Sequence, residues 1–439
     1  MGFRCLSGRS QLLLAPFLIC AVVLAAPGAA VAQGAAQVPT QNQPSTSPAV
    51  SQTGVRHVGR VHDRLRAARE RENRTLEEEI DDGVRRIVRA KKQIADTTGL
   101  SYTMTVSALG QTGTPDGGYG AVQGLFTPSV DWQLFDNPGL GAGSFQFSYI
   151  ATQYWSGATG GGLQSRLNLN SPVNDYPGNA LTFAQVSYTH DFPGDWLAVT
   201  LGQFPIANFD GNAYANNQQV NFLGYSLAQN GSQNYSQGSL GAYAQLNPTK
   251  EITLTGGFQD ANNIAANYIL FSTLGRGQYA WFGYGAWSPT IATLGQGEYA
   301  LLYYDQPGVV LQPRASSGLS FSASQPLGEH WGLFLRANTA WNSSWYIQSS
   351  IAGGAVYNNP LGRDPLDQIG LGVAWNRTNQ SLYAGAFARL SETMVEFYWA
   401  WTVFKRLQVT PDVQLYLQPA LTPAQQAAAV FSIRVAVLF

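Results

Sequence analysis

The end of the chain constrains its fold more than any other stretch. In Ala429–Phe439 the residues Phe431, Ile433, Val435, Val437 and Phe439 fall on one side of an extended strand, and Ser432, Arg434, Ala436 and Leu438 on the other. The segment Thr393–Thr402 repeats the design, with Val395, Phe397, Trp399 and Trp401 opposite Glu396, Tyr398 and Ala400. A soluble sheet hides its bulky apolar face. Here that face is aromatic and the other carries charge, which suits a ribbon with hydrocarbon outside and water inside.

Charge is distributed unevenly. Residues 55–96 hold 12 of the 25 Lys and Arg and 9 of the 26 Asp and Glu, whereas all 11 Trp lie beyond residue 96. The region from Thr97 onward carries roughly a third of the usual charged fraction. Low charge with many aromatic and small polar residues fits a transmembrane barrel better than an aqueous globule. A formal net charge of −1 gives no basis for a nucleic-acid partner.

Residues 1–32 read as an export signal: Arg4 and Arg9, an apolar run from Leu12 to Ala26, and Ala30-Val31-Ala32 before Gln33. Both cysteines, Cys5 and Cys20, fall inside it, so disulfide, zinc-thiolate and cysteine-nucleophile chemistry lapse for the mature chain. Residues 33–54 read as a disordered linker. Residues 55–96 read as a charged amphipathic helix, with Ile80, Ile87 and Ile94 spaced by seven. It is expected on the periplasmic side, either solitary or as an oligomerising or cell-wall-contacting segment.

From Ser101 onward about seventeen alternating segments alternate with Gly, Pro, Asn and Asp turns, among them Gln164–Asn170 and Ser381–Leu390. The expected fold is all-β: a transmembrane antiparallel β-barrel over 97–439, of about 16 strands with 18 as the alternative, preceded by the helical segment. A barrel of that size leaves an aqueous channel. The Asn- and Gln-rich interval 205–237, whose only charge is Asp210, is too long for a periplasmic turn, so it is external or folded into the lumen. Asn342–Asp367 reads as a second long loop.

Catalytic chemistry finds little material. His190 and His330 stand at strand edges, where an interfacial role is the ordinary one, and no nucleophile elbow, metal-binding helix or Asp-rich loop occurs. The Gly160-Gly161-Gly162 run reads as a turn. The chain is therefore expected not to be an enzyme and to need no cofactor or metal. The polar faces offer instead Glu396, Asp412 and Arg434 on the last three strands, Arg389 just before them, and Arg336, Glu298 and Arg166 earlier. These are either inward ion pairs or the lining of a pore that hydrogen-bonds a polar solute.

Glu396-Phe397-Tyr398, Pro411-Asp412-Val413-Gln414, Gln418-Pro419, Arg434 and Phe439 together resemble the close of the carbohydrate-selective porin (OprB-like) family. Gly202-Gln203-Phe204 with Phe209-Asp210, and Gly257-Phe258-Gln259-Asp260, are similar to that family's middle segments. The resemblance implies a 16-stranded bacterial outer-membrane barrel passing monosaccharides and similar small polar solutes by facilitated diffusion. It adds Gln414, Asp210 and Asp260 to the expected lining. It also implies outer-membrane lipid as surroundings, and recognition by the barrel assembly machinery through the strand ending in Phe439. The 33–96 extension departs from the family pattern, which keeps a polysaccharide or secretion-system export channel as the second reading and an outer-membrane hydrolase as the third.

Overall fold

The computed structural model describes residues 82–115, 118–404 and 406–438. The expected signal, the linker, residues 55–81 of the expected helix and the terminal Phe439 lie outside the described residues. The charged segment is helical where described, as α1 (Asp82–Thr98). Its end is sealed on the barrel: Gly99 bonds back to the Ala95 carbonyl at 3.0 Å, and the Trp132 indole donates to the Thr98 carbonyl at 3.0 Å. Gly99 has a φ of +70°, and a Cβ there would meet the Gln133 carbonyl at 2.3 Å, so only glycine fits this junction.

Sixteen strands close an antiparallel barrel. In order they are β1 (Leu100–Thr114), β2 (Gly120–Asn137), β3 (Gly141–Tyr154), β4 (Ala180–Asp191), β5 (Leu197–Phe204), β6 (Ser239–Leu246), β7 (Ile252–Asp260) and β8 (Tyr279–Trp287). A two-stranded ribbon of β9 (Thr290–Ile291) and β10 (Gly295–Gln296) follows. The wall resumes with β11 (Glu298–Gln306), β12 (Ser316–Leu327), β13 (Trp331–Trp341), β14 (Ile347–Asn358), β15 (Gln368–Thr378), β16 (Ser391–Phe404), β17 (Leu407–Leu417) and β18 (Ala427–Leu438). The seam joins β1 to β18, from Thr105 opposite Leu438 to Thr114 opposite Ala429. Closure leaves no backbone edge to be desolvated in lipid, which is why a barrel is one of the two architectures a bilayer permits.

The wall is inside-polar and outside-apolar, as the alternation of the last strand requires. Phe431 and Ile433 are 48% and 55% exposed while Arg434, the next residue along, is 1% exposed. In β13 Trp331, Leu333, Leu335 and Trp341 face out, and Phe334, Arg336, Asn338 and Ala340 face in. Trp132, Trp196, Trp287, Trp331 and Trp401 are exposed near one rim and Trp155, Trp281, Trp341 and Trp375 near the other, in the manner of interfacial girdles. The first rim has short connections such as 138–140 and 328–330; the second carries 155–179, 205–238 and 261–278. Short turns face the periplasm in such barrels, and α1 stands on that rim.

The sequence expectation differs from the structure in three places along the wall. Gln164–Asn170 is no strand: Gly160–Arg166 forms a short helix, α2, capped by the Thr159 hydroxyl accepting from the Gly162 amide at 3.1 Å. The triglycine therefore opens a helix instead of making a turn. Leu163 and Leu167 share its inner face, and Asn168, at a φ of 56°, ends it. Ser381–Leu390 is likewise not a strand; it holds a 3-10 turn, Gln380–Leu382, and irregular chain through Gly385. Conversely β14 occupies what reads as loop. Its Ser349-Ser350 and Gly353-Gly354 pairs flatten the apolar alternation, and a Cβ on Gly354 would strike the Leu371 carbonyl and Phe334.

Candidate functional site

Two loops from the long-loop rim enter the lumen, 155–179 and 205–238, and the second is buried along almost its whole length. Apolar contacts seat them. Leu163, Leu167, Val173, Phe222 and Leu227 pack on the inward faces of Phe334, Ala352, Met394, Tyr398, Tyr416 and Val430. Phe204, Ile206, Phe209 and Tyr235 pack on Tyr243, Phe282, Tyr284, Leu302 and Tyr304 across the barrel. Each such leucine or phenylalanine contributes about 1.5–3 kcal/mol when fully buried.

The charged residues of the last three strands meet these loops directly. The Glu396 carboxylate accepts from the backbone amides of Leu223 and Gly224, the latter at 2.8 Å. Arg434 donates to the carbonyls of Gln218 and Asn221, the latter at 2.7 Å, and to the Thr410 hydroxyl at 3.2 Å. Gln414 donates to the Val173 carbonyl at 3.0 Å and, at 3.5 Å, approaches Asp412. The register places Glu396 opposite Gln414, and Arg434 opposite Thr410. Four residues of the C-terminal motif thus converge on one patch of inner wall.

A second cluster lies on β12 and β13. Asp210 accepts from Asn230 at 2.6 Å, the Tyr235 hydroxyl at 2.8 Å and the Ser320 hydroxyl at 2.6 Å. Arg336 is fully buried within electrostatic reach of Asp210 and Asp175, and none of its three guanidinium nitrogens bonds a protein group. The Asn338 amide nitrogen and Asp175 Oδ1 are also without a protein partner. Burial pushes the Asp175 carboxyl up to about 8; its bond from Gln229 opposes this, the Glu396 charge adds to it, and Arg336 opposes it.

Other expected lining residues stand apart. Asp260 accepts from the Asn262 amide at 3.0 Å and from the Thr273 hydroxyl, which organises the 261–278 loop. Glu298 opens β11 at the short-turn rim, half-buried. Arg166 ends α2 with its guanidinium over the Tyr119 ring at 4.6 Å. Arg389 lies in the 379–390 connection, donating to the Pro423 carbonyl at 2.9 Å, and so is not on a strand face. His190 contacts the Leu140 carbonyl at 3.0 Å and the Tyr188 hydroxyl at 3.1 Å, and His330 the Asn358 carbonyl at 3.2 Å, both on the short-turn rim.

Sequence reasoning misses Glu392 and Asp175. Glu392 ties two connections together, accepting from the amides of Asn170 and Ser171 in the 155–179 loop at 3.0 Å and of Ala420 in the β17–β18 connection at 2.9 Å. Its signal was present: it lies four residues before Glu396, on the same face of β16. Asp175 has no periodic context, and its depth comes from the path of its loop.

The family model of the carbohydrate-selective porins, OprB family, matches residues 270–439. The chain is 34% identical over 312 residues to Porin AaxA of Chlamydia felis, covering 71% of this chain and 70% of that protein. It is 36% identical over 314 residues to Porin AaxA of Chlamydia trachomatis serovar L2, covering 71% and 67%. The fold is that of Pseudomonas putida OprB in its high-pH structure, with a TM-score of 0.67 and 17% identity over 80% of this chain and 96% of that one. An aromatic-girdled closed barrel of sixteen strands, with a polar wall inside and these relatives, is an outer-membrane porin, and the chain belongs to the OprB family of carbohydrate-selective porins.

Proposed function

We propose that this porin passes carbohydrates, monosaccharides and similar small polar solutes, by facilitated diffusion. The observation that carries the reading is the cluster of unmade hydrogen bonds inside the barrel. Arg336 and Asn338 offer donors and Asp175 an acceptor that the protein leaves unused. Orphaned buried polar atoms are costly, so a cluster of them points to a transient partner. A sugar hydroxyl both donates and accepts, and therefore matches a mixed set as a purely cationic or anionic group does not. Glu396, Gln414 and Arg434 on the wall, and Asp210 bonded to Ser320, hold the loops that shape this passage. The charged 55–96 segment is an accessory periplasmic element in this reading.

The test is single-channel current through the purified full chain in a planar bilayer, titrated with glucose. The reading expects sugar-dependent current interruptions that Arg336→Met weakens by about tenfold or more, the equivalent of one lost hydrogen bond to a charged group. Because the substitution replaces an unpaired buried cation with an apolar chain of similar size, thermal stability should hold or rise. A current indifferent to glucose in the unsubstituted protein would refute the proposal.

A further inference from the structure

At the long-loop rim a cavity of about 480 Å³ is bounded by Arg314, Asn342, Ser343, Gln348, Asn379 and Ser381. That volume lies in the range of small-molecule sites. It sits over the tip of the β13–β14 hairpin, between the connections 307–315 and 379–390.

Its walls are held by bonds among themselves. Asn379, buried, spends both amide hydrogens on the carbonyls of Ser343 (2.8 Å) and Trp345 (2.9 Å). Its oxygen accepts from Ser381 at 2.7 Å, and Ser381 in turn accepts from Arg314 at 3.0 Å. This relay fixes a guanidinium at the mouth while using one of its five N–H groups. The Ser343 hydroxyl oxygen accepts from the Trp345 amide at 2.9 Å, leaving its own hydrogen to donate. The side-chain amides of Asn342 and Gln348 make no hydrogen bond among the described residues. Asn342 is held at a φ of 55°, which Asn tolerates, so its amide is presented by the backbone of the turn. No carboxylate borders the cavity, and Arg314 forms no ion pair among the described residues.

We propose that this cavity is a capture site at the external mouth for a carboxylated sugar, a uronate or aldonate. The fixed guanidinium takes the carboxylate, and the Asn342 and Gln348 amides and the Ser343 hydroxyl take ring or chain hydroxyls. An uncharged sugar would lose the strongest of these contacts, and a simple inorganic anion the rest. The proposal deepens the sugar-porin reading and rests on it for the onward passage only; binding at the mouth stands alone.

The experiment is calorimetric titration of the full-length protein in detergent with sodium glucuronate and with glucose, paired with flux of both solutes into proteoliposomes. Arg314→Gln is expected to weaken glucuronate binding by about tenfold or more, the loss of a charge-assisted bond, and to leave glucose flux unchanged. Arg314→Lys, which keeps the charge but not the fork, should restore only part of the binding. Glucuronate binding that Arg314→Gln and Asn342→Ala leave intact would overturn the proposal, as would binding no tighter than that of glucose. Loss of glucose flux in the unsubstituted protein with Arg314-dependent glucuronate binding preserved would refute the sugar-diffusion reading and leave the capture site standing.

Discussion

Replacing Glu396 by Ala removes the acceptor of two buried backbone amides, Leu223 and Gly224, in the 205–238 loop. The site is buried, so the amides cannot turn to solvent without moving the chain. A buried donor left without a partner costs about 1–3 kcal/mol, so the pair costs about 2–6 kcal/mol. The barrel strands do not share this cost, and the loop retains Arg434, Asp210 and its apolar seat. Local opening should therefore become easier by about thirtyfold or more, at 1.4 kcal/mol per factor of ten, while the wall stays closed. Hydrogen exchange read by mass spectrometry on peptides covering 220–228 measures this directly. Glu396→Gln keeps one acceptor oxygen and should show roughly half the free-energy effect. Unchanged exchange at 220–228 in Glu396→Ala, or acceleration spread equally over the strands, would refute the idea that this carboxylate holds the loop.

The lumen should prefer cations. Leaving aside the protonated Asp175 and the Asp367 paired with Arg363 at 2.6 Å, the carboxyl groups of Asp191, Asp210, Asp260, Glu392, Glu396 and Asp412 still outnumber Arg336 and Arg434 among the buried described residues, so the zero-current potential in a KCl gradient should take the sign of K⁺ selectivity; a chloride-selective potential would contradict it. The 155–179 loop should loosen with rising pH. The Asp175 carboxyl lies near 8 when folded against an ordinary 3.8, so the folded loop holds a proton the freed loop releases. Its packing contribution is then complete below about 4 and is lost as pH rises through 8. Protease sensitivity of this loop from pH 5 to 9 should climb in the unsubstituted protein and flatten in Asp175→Asn; equal pH dependence in both would exclude Asp175 as the source.

The strand wall was legible because lipid outside and polar interior inside impose a period of two on every strand that carries bulky residues. Phe431 to Val437 and Trp331 to Trp341 show this alternation plainly, and the structure places their faces accordingly. The misreadings share one cause. Leu167 and Leu169 alternate with Arg166, Asn168 and Asn170 as a strand would, yet the helix cap at Thr159 and the i, i+4 pair Leu163–Leu167 decide for α2. In β14 serine, glycine and alanine dilute both faces around Ile351 and Val356, so the alternation carries little contrast even though the strand pairs with β13 and, past a bulge between Ile347 and Ser349, with β15. The expected lining was legible as a set of inward charges on β16 to β18. What each one bonds was not, because Leu223, Gly224 and Gln218 lie more than 170 positions earlier, on a loop of Asn, Gln and aromatic residues whose path into the barrel leaves no periodic trace. Arg336 shows the same limit: its place on an inward face follows from β13, but its lack of partners depends on where Asp210 and Asp175 come to rest.

The central claim is that a closed cylinder of sixteen ribbons lets sugars cross the outer membrane through its interior. Swelling of liposomes containing the purified protein tests it most directly. The account predicts faster swelling in glucose than in a zwitterion of equal size, and liposomes that do not swell in either would contradict it.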